Sequence, residues 1–371
     1  MIGYNNKRQL QQLSEDKELL TLLLTDGEFT GLIRSLRAIQ TENIRIIGLT
    51  MNPYLPHSAL LDASYLTESV FAQTYIDNLI SILQKEKVDI ILPIVSEGLE
   101  SLMSAETEIK EKTGAVILSS CLDALRIAND KISLYDSIQS SRIDDLSEIV
   151  PKYQAVYTKQ VLLETVDQFV SKYKKICIKK ARGENAEGFW IIDNESDHSD
   201  MLFHGNPRRH LSLNSLHDMM QDLNPGDLIP PYIVSEYLPG EEWDCDILCM
   251  DGKIISITTR INFVMHDGLT SVLETRDQPQ LKVYCEKIVA LLHLSYIVCI
   301  SFRADVDGHF RLLEINPRIM GNIYVSTLAG NNYVEMAIRL LQKKPIHPVP
   351  AINGICTAMY YDQIEIKPLD K

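Results

Sequence analysis

The sequence predicts an α/β protein whose first third is built on a parallel sheet, and three observations predict it. Short apolar runs alternate with helical patterns from Leu20 to about Leu125, the order that yields strand, helix and strand again. At 371 residues the chain is too long for one small core, so two or three packed subdomains are expected. A hydrophobic content of 45% is that of a folded chain rather than a disordered one.

Composition narrows the function classes. A net charge of −14 sets the surface against nucleic acid and anionic lipid, so a phosphate site would have to be a local basic pocket. No run reaches the roughly 18 apolar residues of a membrane span, and the polar stretch from Met1 to Lys17 lacks the apolar core of a signal peptide. A cytoplasmic location is expected. The seven cysteines include no CxxC pair and stand mostly in apolar surroundings, which favours buried free thiols over disulfides or a zinc site.

In order, Leu20–Thr25 is the first strand, Asp26–Gly31 a glycine turn, and the pattern through Ile39 a helix. Gly27 and Gly31 lack the full GxGxxG fingerprint, so a structural turn is expected. Ile44–Gly48 is a second strand, Tyr75–Lys87 a helix and Val88–Ile94 a third strand. Glu97 and Glu100 follow it and read as solvated charges at a helix start. Next, Asn129 or Asp130 caps a helix whose first turn holds Lys131. A cation there opposes the helix dipole, and an anionic ligand would relieve it. Lys174–Lys179 is a strand, the loop after it contains Gly183 and Gly188, and Trp190–Ile192 is another strand. A lysine at a strand end beside a glycine loop suits phosphate.

Asn224–Pro231 reads as a connector, followed by an apolar strand from Tyr232 that passes into Glu236-Tyr237-Leu238 and then Glu242. Lys253–Arg260 is a strand, and His266 is placed in the loop after it. The helices Gln278–His293 and Asn332–Lys343 carry core stripes. The tail turns strand-like at Ile355–Tyr361, where it could add an edge strand or meet a second subunit in a homodimer. In Arg311–Gly321, alternation puts Glu314 and Asn316 on one face, with Leu313 and Ile315 on the other. Two residues apart on a strand is about 7 Å, within reach of one hard cation.

The order of these segments, a three-strand α/β unit, NDK, the lysine and glycine loop, EYLPGEE and LLEINPR, resembles the ATP-grasp superfamily. The nearest likeness is to carboxylate-amine ligases with a carbamoyl-phosphate-synthase-like leading domain, over about Leu20 to Leu341. The resemblance implies a polar leader (1–19), a Rossmann-like parallel α/β pre-ATP-grasp domain (20–125) and then a two-lobed α+β ATP-grasp domain. That domain divides into a linker helix and lid (126–235) and a carboxyl-terminal subdomain (236–371). It also implies ATP and Mg²⁺, with Mn²⁺ as an alternative. Lys131, Lys179 and Gly183 would hold phosphates, Glu236, Tyr237 and Leu238 adenine, and Glu242 ribose. Glu314 and Asn316 would bind the metal, Arg318 would steady phosphate or acyl-phosphate charge, and Arg260 would face the substrate.

Three features depart from the family pattern. The first glycine turn is sparse. Lys180, Glu184, Asn185 and Glu187 replace the usual proline and Gly/Ser of the phosphate loop, and the two carboxylates are expected to point outward or to face a cationic substrate. Ser301 stands where a further acidic or amide metal ligand is usual, with Asp305 or a water as the substitute. The implied reaction joins a small carboxylate to an amine through an acyl phosphate, releasing ADP and phosphate, with the amide bond as product. No general base is assigned: Asp244 and Asp246 are open to that role or to that of strand-face carboxylates, and His266 reads as a solvent-exposed loop histidine. A bicarbonate-activating carboxylase and a non-catalytic nucleotide binder are the competing readings.

Overall fold

The computed structural model describes residues 18–25, 29–183, 186–193, 209–266, 269–360, 363–366 and 369. Gly27, Glu184, Asn185, most of the polar leader and the His266 side chain lie outside the described residues.

The apolar runs of the first third become β1 (Leu20–Leu24), β2 (Ile44–Thr50), β3 (Ala63–Leu66), β4 (Ile90–Leu92) and β5 (Val116–Ile117). They pair in parallel, in the order β3-β2-β1-β4-β5. The connecting helices are α1 (Thr30–Arg37), α2 (Tyr75–Glu86), α3 (Leu99–Ser104) and α4 (Glu106–Thr113). β1 is buried along its whole length because helices cover both sheet faces. The flanking strands β3 and β5 escaped the sequence pattern, β3 because its half-buried residues carry no apolar run and β5 because it has only two residues.

Next come α5 (Leu122–Ala128) and α6 (Lys131–Ser140). A second sheet follows, from β6 (Tyr153–Thr158), β7 (Lys175–Lys180), β8 (Trp190–Asp193), β9 (His210–Leu211) and β10 (Leu228–Glu236). Its order is β6-β10-β7-β8-β9, and α7 (Lys159–Val170) and α8 (Leu213–Met219) close its core. Part of the expected connector is strand, since β10 begins at Leu228. Pro230 and Pro231 fit there because the ladder to β6 is irregular between Leu228 and Tyr232.

The third sheet has the order β15-β14-β11-β12-β13-β16 and its pairs are antiparallel. Its strands are β11 (Glu242–Met250), β12 (Lys253–His266), β13 (Leu269–Thr275), β14 (Tyr296–Ala304), β15 (Phe310–Asn316) and β16 (Cys356–Ala358). β12 runs on to His266, which places that residue at a strand end rather than in the expected loop. One face packs on α6 and α9 (Pro279–Leu292) through Trp243, Cys245, Ile300, Phe302 and Leu312. The other face divides. Toward one end Leu248 and Ile297 join the core of the first sheet with α11 (Tyr333–Leu341), which follows the short α10 (Tyr324–Leu328). At the other end the same face carries Glu242, Asp244, Asp246, Ser301, Arg303, Glu314 and Asn316. This polar patch is where the candidate residues gather. No helix among the described residues is long and apolar enough to cross a membrane.

Candidate functional site

The placing of Glu314 beside Asn316 follows from strand periodicity with one interruption. Glu314 pairs with Ser301, but Phe302 pairs with Leu312, so the ladder skips at Leu313. This bulge puts Leu312 and Ile315 into the core and leaves Leu313 only half-buried. The expected pairing of Leu313 with Ile315 on the apolar face is thereby corrected. Asn316 Nδ2 donates to Glu314 Oε1 at 3.2 Å.

Asp130 is the helix cap, accepting from the Ser133 N–H at 2.9 Å, and Lys131 opens α6. Its ammonium lies 2.9 Å from Glu314 Oε2, 11% exposed against 37% for the carboxylate. Burial alone would raise the Glu314 carboxyl, but the Lys131 ammonium outweighs it and holds the group below its ordinary value. Lys179, at the end of β7, donates to the Tyr135 hydroxyl at 3.3 Å. Burial pulls its ammonium below its ordinary value, against the field of Glu314 and Glu242. Glu242 is pushed up to about 7, by burial first and then by Asp244, although Arg303 lies 3.4 Å away.

Five of the expected residues therefore share one electrostatic cluster: Lys131, Lys179, Glu242, Glu314 and Asn316. A carboxylate and an amide oxygen are hard donors that suit Mg²⁺ or Mn²⁺. A buried lysine with no ion pair among the described residues suits an anion.

The other expected residues are placed differently. Arg260 is completely buried, 2.7 Å from Asp244 and 3.2 Å from Asp246, and donates to Asn262 at 2.9 Å and Asn322 at 3.0 Å. Those two carboxylates outweigh its burial and fix its charge. Arg318 reaches Ser96 in the first domain at 3.3 Å and the carbonyl of Ile319 at 3.3 Å. Glu236 accepts from the Lys152 N–H at 2.8 Å, while Tyr237 is half-buried and Leu238 buried beyond β10. A Cβ on Gly183 would meet nothing closer than 3.6 Å, but the backbone φ of +159° there is one that other residues rarely adopt.

Asp305 does not stand in for the missing ligand. Its carboxylate accepts from the N–H groups of Asp307 and His309 and pairs with Arg311, holding the β14–β15 turn. The carboxylate beside Ser301 is Asp244, which accepts from Ser301 Oγ at 2.5 Å. Arg303 pairs with Glu242, not with Asp305. Glu187 is 67% exposed and pairs with Lys180, pointing outward as expected.

Two site residues had no sequence signal. Tyr135 reads as an ordinary helix aromatic. Arg182 bridges Asp130 at 2.9 Å and Glu100 at 2.6 Å, so the loop after Lys179 is tied to the α6 cap and to the first domain. Glu100 is thus a paired anchor rather than a merely solvated charge. Burial alone would raise Asp130, yet the Ser133 N–H and the Arg182 guanidinium hold it below its ordinary value.

Residues 229–362 match a family described as ATP-grasp in the biosynthetic pathway with Ter operon. Residues 22–117 match the PylC-like, N-terminal domain. No curated protein matches the sequence. Among solved structures, the chain resembles N5-carboxyaminoimidazole synthetase from Staphylococcus aureus complexed with ADP. The identity is 13% and the TM-score 0.65, over 92% of this chain and 82% of that one. It also resembles the biotin carboxylase domain of the Hydrogenobacter thermophilus 2-oxoglutarate carboxylase, solved with MgADP, ADP and bicarbonate. Here the identity is 14% and the TM-score 0.61, over 91% and 73% of the two chains. At these identities the likenesses establish the fold alone.

Proposed function

Because the chain is an ATP-grasp protein with a PylC-like amino-terminal domain, we propose that it is an ATP-dependent ligase joining a small carboxylate to an amine. The observation that carries this reading is the convergence of Lys131 and Lys179 on the strand face of Glu314 and Asn316.

In the proposed reaction a substrate carboxylate oxygen attacks the γ-phosphorus of ATP, the bond to the ADP oxygen breaks, and an acyl phosphate forms. The amine nitrogen then attacks the acyl carbon, phosphate leaves, and the amine loses a proton to give the amide. Phosphoryl transfer calls for charge neutralisation and alignment. Lys131 and Lys179 would bind phosphate oxygens, and Arg318 would meet charge on the side toward the first domain. Held by Glu314 and Asn316, Mg²⁺ or Mn²⁺ would neutralise phosphate charge. Glu236, Tyr237 and Leu238 would line the adenine and Glu242 the ribose. Asp244 and Asp246 are both engaged by Arg260, which would brace the floor beneath the substrate.

Phosphate release from ATP, measured against a panel of amino acids and other small amines and carboxylates, tests the reading. Turnover that needs one carboxylate and one amine is the expected result. Turnover with bicarbonate alone would identify a carboxylase instead. A second reading, a nucleotide binder without catalysis, is favoured by Ser301, whose hydroxyl is engaged by Asp244. Tight ADP binding with no turnover would support it. Glu314→Gln should reduce turnover at least a hundredfold while leaving the circular dichroism spectrum intact. Undiminished activity in that variant would remove Glu314 from the metal site.

A further inference from the structure

We propose that Tyr135 is a positioning residue that aims the Lys179 ammonium and fixes the bulge just ahead of Glu314. Three contacts meet at its hydroxyl. The carbonyl oxygens of Leu313 and Leu312 lie 2.8 Å and 3.1 Å away, and Lys179 Nζ lies 3.3 Å away. A phenol has one proton and two lone pairs, so it can donate to the strand while accepting from the ammonium.

The strand carbonyls are those of the bulge, where the ladder between β14 and β15 skips a residue. A bulge disrupts the ladder locally, and a side-chain hydroxyl here supplies a donor. Burial raises the Tyr135 hydroxyl well above its ordinary range, so the proton stays in place to be donated. The ring is fully buried and packs edge-on against Tyr153, with centroids 5.0 Å apart. The Lys179 ammonium lies 5.7 Å from the Tyr135 centroid, within cation–π range. Among the described residues the Lys179 ammonium has no other hydrogen bond and no ion pair.

Lys131 lies one turn before Tyr135 on the same face of α6 and holds Glu314. A single helix face thus grips the metal strand twice, through a salt bridge and through a hydroxyl, and by that hydroxyl it also holds the second phosphate lysine. This role rests on the nucleotide reading proposed above, because it assigns Lys179 to phosphate.

The test is a double-mutant cycle read in ADP affinity by calorimetry, in buffer without divalent cation so that the metal strand does not enter the readout, using Tyr135→Phe and Lys179→Met singly and together. Phenylalanine keeps the ring and removes only the hydroxyl. If Tyr135 acts through Lys179, Tyr135→Phe should weaken ADP binding roughly five- to tenfold in the wild-type background, the scale of one ordinary hydrogen bond. In the Lys179→Met background the same change should cost less than about twofold, since its route is already gone. Equal losses in both backgrounds, or no loss in either, would overturn the proposal. If Tyr135→Phe fails to fold, a trifluorotyrosine placed at 135, which keeps the hydroxyl but weakens it as an acceptor, is carried through the same cycle with the same criterion. Wild-type protein that takes no ADP would sink the nucleotide reading itself, whereas wild-type binding with an indifferent Tyr135→Phe sinks only the positioning role.

Discussion

Glu242 shows what the surroundings of one side chain do to its chemistry. Its carboxyl is pushed up from 4.5 to about 7, mainly by burial and then by the Asp244 charge. The folded state therefore binds this proton more tightly than the unfolded chain. Stability from the group is fully present below about pH 4.5 and is lost as pH rises through about 7. Glu242→Gln cannot titrate there, so the wild-type melting temperature should fall relative to the variant's between about pH 5 and pH 8. Parallel melting curves across that window would remove the effect. The meeting of Lys131, Glu314 and Asn316 was legible because NDK and LLEINPR stand where the family resemblance expects one site. The enclosure of Arg260 was not, because its partners Asp244 and Asp246 stand on a different strand, 14 to 16 residues earlier. Tyr135 was hidden for a similar reason: nothing in a helix sequence says which strand its hydroxyl will meet.

At the scale of elements, periodicity located the strands of the site but not their irregularities. The bulge at Leu313 leaves no mark in a run of leucines, yet it decides which of them enters the core. Gly31 is another such case. The sequence placed it in a turn, while the structure puts it in α1, where an added Cβ would lie 2.3 Å from the Gly321 carbonyl oxygen. Facing it, a Cβ on Gly321 would lie 2.3 Å from the Phe29 ring. The loop carrying Arg318 is therefore seated directly on α1. Because backbone must move to make room, Gly31→Ala should cost roughly 1–3 kcal/mol in urea unfolding. Gly226→Ala, where a Cβ would meet nothing within 4 Å, should stay within about 0.5 kcal/mol. Equal stabilities for the two variants would show that the contact yields.

Across the whole molecule, the first and third sheets are not independent. Leu248, Ile297, Ile319 and Ile323 pack into the same core as Leu22, Leu32 and Ile90, with α11 between the sheets. The second sheet has its own cluster, built from Val156, Leu162, Val166 and Ile178 among others. A chain beginning at Ser119 should therefore expose an apolar face and elute aggregated in gel filtration. A monodisperse fragment with native ellipticity would contradict the shared core. The α/β alternation made the first sheet legible, but this interlocking was not, since it joins residues some two hundred positions apart. The Gly31–Gly321 contact also limits how such a molecule can be recombined. A larger residue at Gly31 has to be answered at Gly321, and one at Gly321 has to be answered at Phe29, so the amino-terminal domain is not a free cassette. A chimera that draws α1 from one parent and the loop after β15 from another would inherit a mismatch at the place where Arg318 is held.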